Sequence, residues 1–339
     1  MKNKLDGKNT TCNGTIIGIG NAIVDIVCKI DEQFLEENLL IKGSMSLIDE
    51  NMAQKLSSLP AEKISSGGSV ANSIAAISQL GNQASFIGKV AFDDFGKKFI
   101  TEIERAGINF VAKKFASSIS AKSFILVTPD AQRTMCTFLG CASEIAAEDI
   151  KEESFIGASV LYLEGYLWDK EETILALKKA ISLAKENHVK IAFTLSDLFC
   201  VARNKPDFIE LITHDLDILF ANENEIKELL NLENIEENNF QKIKDFFSLN
   251  TKLLAAITRG EKGCVIFSYQ NHAEITTKKI TQPIDTTGAG DCFAAGFLFG
   301  INNNFSLEKS ANLSNDLAAK IIQKFGARFN EDEIKNFKN

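Results

Sequence analysis

Asp285-Thr286-Thr287-Gly288-Ala289-Gly290-Asp291, followed by a run of small and apolar residues over 292–300, is the stretch on which the reading of this chain turns. Glycines let a backbone approach an anion closely. The run that follows has helical character, and a helix N-terminus presents N–H groups without intrahelical acceptors together with the positive end of the dipole. Combined, these features make a site for negative charge developing on a transferred phosphoryl group. Asp291, in the first helical turn, sets a carboxylate beside that site, where it can accept the proton of an attacking hydroxyl. Shape alone also allows a Thr/Gly turn that caps a helix, with Asp291 favoured there by the dipole.

Working outward, the segment sits in an alternation of short apolar strands and amphipathic helices that fills the C-terminal half. Strands are predicted at 160–163, 190–195, 216–220 and 253–258, and helices at 170–187, 206–213 and 223–230. Such alternation predicts a parallel sheet with helices on both faces. Two further strands, 264–269 and 273–278, precede two closing helices over 288–300 and 306–325. Towards the N-terminus, 15–19 and 85–90 read as strands, and Gly67-Gly68-Ser69 opens a helix that stops at Gly81. Extended segments near 23–48 and 110–139 break the rhythm; the latter holds a hairpin around residues 129–132. They read as a small β element attached to the main domain and split in sequence.

Composition limits the partners. The chain has 339 residues, 45% hydrophobic and 24% charged, with a net charge of −8, a globular balance that disfavours nucleic acid and anionic membrane surfaces. No apolar run is long enough to span a bilayer, and residues 1–13 form a polar tail without a signal-peptide core. The seven cysteines are scattered without a C-x-x-C pair, which fits free thiols in a reducing cytoplasm rather than disulfides or zinc. A Walker-type loop is absent. The G-x-G at Gly18 and Gly20 has Ile23 where a dinucleotide fingerprint needs its third glycine.

The segment 285–291 resembles the C-terminal signature of the ribokinase-like (PfkB) carbohydrate and nucleoside kinases. Gly67-Gly68-Ser69-Val70-Ala71-Asn72 is similar to the family's Gly-Gly stretch, and Gly88-Lys89-Val90 with Asp93 to Gly96 to its second signature. Asn222-Glu223-Asn224-Glu225 is similar to its N-x-x-E motif, and Thr258-Arg259-Gly260 to its T-x-G nucleotide loop. The motifs fall in the family's order over roughly 15–327. The resemblance implies an α/β, three-layer sandwich with a mainly parallel central sheet. It implies a kinase domain over 14–330 carrying a discontinuous β lid from about 23–49 and 110–140.

The resemblance also implies roles. Asp291 is the catalytic base, with the N–H groups of Gly288, Ala289 and Gly290 as the anion hole. Asp25 binds two sugar hydroxyls, and Gly67, Gly68 and Asn72 line the sugar site. Asn222 and Glu225 organise Mg²⁺, Glu225 through water, and Thr258, Arg259 and Gly260 border ATP. A monovalent cation near the loop before Asp285 is admitted by the same likeness. Residues 133–142 and 20–26 lean towards the adenosine-kinase branch, where Arg133 would swing onto the phosphates when the lid closes; it also reads as a solvated hairpin arginine. One departure is Ala91, which stands where the second signature commonly has glycine.

The reading is therefore a cytoplasmic, ATP- and Mg²⁺-dependent kinase, monomer or homodimer. It acts on a primary hydroxyl of a ribonucleoside, adenosine first, or of a sugar such as ribose, fructose or a keto-deoxy acid. Phe138, Tyr166 and Trp168 are candidates to stack a purine. A non-catalytic sensor would be expected to lack Asp291 or the glycine loop, and both are present.

Overall fold

Thr15–Ile19 (β1), a β-branched run, is the strand about which the large sheet is ordered. The computed structural model describes residues 14–111, 118–269, 271–334 and 337, so the tail 1–13 lies outside the described residues. The strands that follow β1 are β2 (Ile23–Lys29), β3 (Met45–Leu47), β4 (Ala61–Gly67), β5 (Ala84–Ile87), β6 (Asn109–Phe110) and β7 (Ala121–Val127). Then come β8 (Arg133–Phe138), β9 (Ala158–Glu164), β10 (Lys190–Thr194), β11 (Ile218–Asn222), β12 (Leu254–Thr258), β13 (Cys264–Ser268) and β14 (Asn271–Ile275).

Nine of them form one sheet in the order β14-β13-β12-β11-β10-β9-β1-β5-β6. Every pair from β12 to β6 is parallel, and β13 and β14 close one edge antiparallel. Apart from the short edge strand β6, the parallel strands are largely buried on both faces, and successive residues point to opposite layers. In β9, Val160 and Tyr162 join a core with helices Ser69–Leu80, Ala289–Asn302 and Leu307–Ile321. Leu161 and Leu163 join a second core with helices Glu171–Glu186, Leu198–His214 and Glu223–Leu230. The result is the expected three-layer α/β sandwich.

The remaining five strands make a smaller sheet ordered β3-β8-β7-β2-β4. The hairpin at 129–132 forms as predicted, with β7 and β8 antiparallel around it. Three corrections to the expected lid segments follow. Asn109–Phe110 pairs with β5, so it belongs to the large sheet. Ala61–Gly67, read as no strand at all, pairs antiparallel with β2 and forms an edge of the small sheet. Of the stretch 39–48 only Met45–Leu47 is strand.

In the large sheet the chain leaves β1 for β5 on one side and returns to β9 on the other. Ligands of open α/β sheets bind beyond the carboxyl ends of the strands at such a reversal. Here the position is marked by Gly20-Asn21 after β1 and Glu164 at the end of β9.

Candidate active site

A cavity of about 580 Å³ opens at this reversal, walled on one side by the small sheet. Asp25, Asn21, Gly68, Asn72, Asn222, Glu225, Thr258, Gly288, Gly290 and Asp291 all line it, bringing together motifs spread over most of the chain.

The segment 285–291 turns into helix Ala289–Asn302 with several amides left open. Gly288 is the residue before helix Ala289–Asn302 and has a left-handed backbone (φ 79°), where a Cβ would also lie 2.6 Å from that of Ala327. The Thr287 amide bonds Asp285 Oδ1 (3.1 Å) and the Ala289 amide bonds the Thr286 carbonyl (3.2 Å). The amides of Gly288, Gly290 and Asp291 find no protein acceptor among the described residues. Of the expected set, Ala289 spends its N–H within the loop, whereas the Asp291 amide, which was not expected, stays open among the described residues.

Asp291 is held from the neighbouring helix. Its Oδ1 accepts from Ser69 Oγ (2.6 Å) and its Oδ2 from Asn72 Nδ2 (3.0 Å). Burial pushes its carboxyl up to about 6, against these two hydrogen bonds and the charge of Arg328. A base poised near neutrality suits proton abstraction from a hydroxyl. Asn72 was expected to line a sugar site; in the structure its amide is also committed to Asp291 and to Arg328.

Asp25 projects from β2 into the cavity, where burial raises its carboxyl to about 7 while Arg328 opposes the rise. No protein hydrogen-bond donor meets this carboxylate among the described residues. Gly67 explains how it fits, since a Cβ there would lie 2.3 Å from Asp25 Oδ2. Gly68 caps helix Ser69–Leu80.

Asn222 and Glu225 form a capping box at the start of helix Glu223–Leu230. Glu225 Oε2 accepts from the Asn222 amide (2.9 Å), and Oε1 accepts from Asn222 Nδ2 (2.6 Å). Burial brings Glu225 up to about 7. Each carboxylate oxygen keeps a lone pair for a water, and no cluster of three or more metal-ligating side chains occurs among the described residues. This donor set fits a magnesium ion carried by phosphate oxygens and water, touched by Glu225 through a water ligand.

Gly67, although it lies against Asp25, is not among the residues that line the cavity, and three more expected residues lie elsewhere. Arg259 is held by Glu223 (3.1 Å) and Glu274 (2.6 Å), outside the cavity. Gly260 begins the turn Gly260–Lys262 and does not line the cavity either. Arg133, at the start of β8, pairs with buried Asp285 (2.5 Å) and stacks over Phe325, so it pins the small sheet to the anion loop rather than facing the site of the phosphates.

Of the aromatic candidates only Tyr166 lines the cavity. Trp168 is buried against Phe193 and Phe208 as core, and Phe138 packs on the first core. The apolar lining includes Ile23, Met45, Leu47, Met135, Leu139 and Phe199, with Tyr162, Phe220 and Phe293 also reaching the cavity. Two further residues escaped the sequence reading. Glu164, wholly buried, ties Asn21 (2.8 and 2.9 Å) to the Val70 amide (2.9 Å). An acid ending the apolar strand Val160 to Leu163 was the available signal. Arg328 had none, because it meets the site only through the fold.

A glycine loop with open amides, a carboxylate raised towards neutrality and a cavity at the strand ends suit phosphoryl transfer. The match is carried by residues 39–334, which fit the model described as pfkB family carbohydrate kinase, and the chain belongs to that family. It is an ATP-dependent phosphotransferase acting on a hydroxyl group, of the sugar and nucleoside kinase type. The crystal structure of adenosine kinase from Sinorhizobium meliloti is 38% identical, with a TM-score of 0.84 over 93% of this chain and 96% of that one. A probable sugar kinase protein from Rhizobium etli CFN 42 is 35% identical, with a TM-score of 0.84 over 94% and 95%. An uncharacterized sugar kinase of Archaeoglobus fulgidus is 29% identical over 74% of this chain and 96% of its own length.

Proposed function

We propose that the acceptor is a ribonucleoside, adenosine first, phosphorylated on its primary hydroxyl. The observation that carries this is the composition of one cavity: an unpaired carboxylate, Asp25, lines it together with the base Asp291 and an apolar wall. Two neighbouring ribose hydroxyls satisfy Asp25, and the wall of Ile23, Met45, Leu47, Met135, Leu139 and Phe199, with Tyr166, suits a flat base. A free sugar would leave that wall against water. The likeness to the Sinorhizobium protein supports the same choice.

In this reading the acceptor oxygen gives its proton to Asp291 as it attacks the γ-phosphorus of ATP, and the bond to the ADP oxygen breaks. The amides of Gly288, Gly290 and Asp291 receive the charge that develops on the phosphoryl oxygens. Magnesium, when bound, neutralises phosphate charge. Asn222 and Glu225 fix its water shell, Thr258 borders the nucleotide, and the small sheet closes as a lid. The six described cysteines, all buried and free, support a reducing cytoplasmic setting.

A phosphoryl-transfer screen over nucleosides and free sugars, with the product position read by ³¹P NMR, tests the proposal. Turnover of adenosine to its 5′-monophosphate with little turnover of sugars is expected. Turnover of ribose or fructose with none of nucleosides would overturn it in favour of a sugar kinase.

A further inference from the structure

Arg328 follows the last long helix and reaches across to the start of helix Ser69–Leu80. Its Nε donates to Asn72 Oδ1 (2.9 Å), Nη1 to Ser66 Oγ, and Nη2 to the Gly67 carbonyl (3.4 Å). All these acceptors are neutral. Asp25, Glu102 and Asp291 act on the guanidinium through space. Asn72 in turn gives Nδ2 to Asp291 Oδ2 (3.0 Å). A guanidinium can only donate and a carboxylate can only accept, so an amide between them has one satisfied orientation. The reversed amide would set N–H against N–H and oxygen against carboxylate.

We propose that Arg328 is a positioning residue for proton transfer: it fixes the Asn72 amide so that Nδ2 faces Asp291, and it sets a cation beside Asp291 and Asp25. This rests on Asp291 being the base. Burial raises both carboxyls, Asp291 to about 6 and Asp25 to about 7, and Arg328 opposes the rise in each. The other charged and titratable groups around them are few. From β4 comes Lys63 and from the anion loop Asp285, both acting on Asp25. From β9 come Glu164 and Tyr162, from the turn after it Tyr166, and from the base's own helix Cys292, all of which feel Asp291. Glu102, from helix Asp94–Arg105, faces Arg328. Arg328 is the cation that acts on both carboxylates. Losing it raises both, and activity that requires an ionised base then disappears at a higher pH.

The test is the pH profile of acceptor kcat/KM for the wild type, Arg328→Gln and Asp291→Asn, with melting curves for each. Arg328→Gln should lose on the order of tenfold at pH 6, recover part of it at pH 8, and shift the acid limb upward by about one pH unit, the lower end of the effect of a nearby opposite charge. The KM for ATP should not change. A folded Arg328→Gln with the wild-type acid limb overturns the proposal, whether or not turnover falls. Asp291→Asn separates the two readings. Full turnover in that variant refutes the base itself, whereas its inactivity beside an unmoved limb in Arg328→Gln refutes only the relay. Should Arg328→Gln fail to fold, Arg328→Lys combined with Asn72→Ser decides. Losses that do not multiply support the relay, and losses that multiply overturn it.

Discussion

Gly67→Ala adds one methyl group, and its consequence can be worked from the coordinates. The new Cβ would lie 2.3 Å from Asp25 Oδ2, 2.5 Å from Cγ and 2.6 Å from Oδ1. Ordinary contact starts at 3.4 Å, so the carboxylate must retreat by about 1 Å. The β2 backbone cannot carry it away, because β4 and β7 hold that strand on both sides. The side chain must rotate instead, out of line with the acceptor hydroxyls. A hydrogen bond to a charged group contributes about 1.5–3 kcal/mol, so one lost bond lowers acceptor kcat/KM by roughly 10- to 150-fold. Steady-state kinetics with acceptor and ATP varied separately, beside a melting curve, give the answer. The acceptor KM should rise, the ATP KM should stay, and the fold should persist. An unchanged acceptor KM in the folded variant would refute Asp25 as the hydroxyl-binding group.

Other outcomes follow from the same geometry. Asp291→Asn keeps size and removes the base, and should cut turnover by about 10²-fold or more while a nucleotide titration stays near wild type. At Gly290 a Cβ meets no protein atom within 4 Å, so Gly290→Val should fold normally yet lose turnover in a kinetic assay, because its side chain takes the space of the phosphoryl group. Asp25 binds its proton more tightly folded (about 7) than unfolded (near 3.8), so the stability it contributes is present at low pH and lost as pH rises through 7. Asp25→Asn should therefore raise Tm at pH 8 relative to wild type and gain nothing at pH 4. In hydrogen-exchange measurements, a saturating acceptor should protect residues near 39–48 and 123–139, and unchanged exchange there counts against a closing small sheet.

The large sheet was legible because buried parallel strands read as apolar runs bounded by turns. Thr15–Ile19 and helix Glu223–Leu230 fall at their expected limits. The edge strand Ala61–Gly67 was missed because it is mostly exposed and polar, so no hydrophobic alternation marks it. Helix Leu198–His214 was expected only from Pro206, a residue that favours a helix start. In the structure the helix begins earlier and is kinked at Asn204 (φ −115°, ψ 20°), which accommodates the proline. The site motifs were legible as spacing, but spacing does not say where a side chain points. Arg259 therefore stood as a nucleotide contact although Glu223 and Glu274 hold it. Arg133 stood as a phosphate contact or a solvated hairpin arginine, although Asp285 holds it. Arg328 reaches Asn72 from the far end of the chain, and no local pattern could announce that contact.

The apolar wall of the cavity has one more consequence. Met45 and Leu47 sit on a three-residue edge strand and remain 36% and 55% exposed. Side chains left this exposed contribute less to folding than core residues, so replacing them costs less stability than a core substitution. The base, the anion loop and the Asn222–Glu225 box are instead fixed on the main α/β body. On the proposed reading, part of the acceptor contact therefore sits on the small sheet, apart from the groups that carry the phosphoryl transfer, while Tyr166 and Phe199 add to it from the main body. If that reading holds, point changes at residues 45 and 47 should alter which acceptor is phosphorylated while the groups that carry the transfer stay in place.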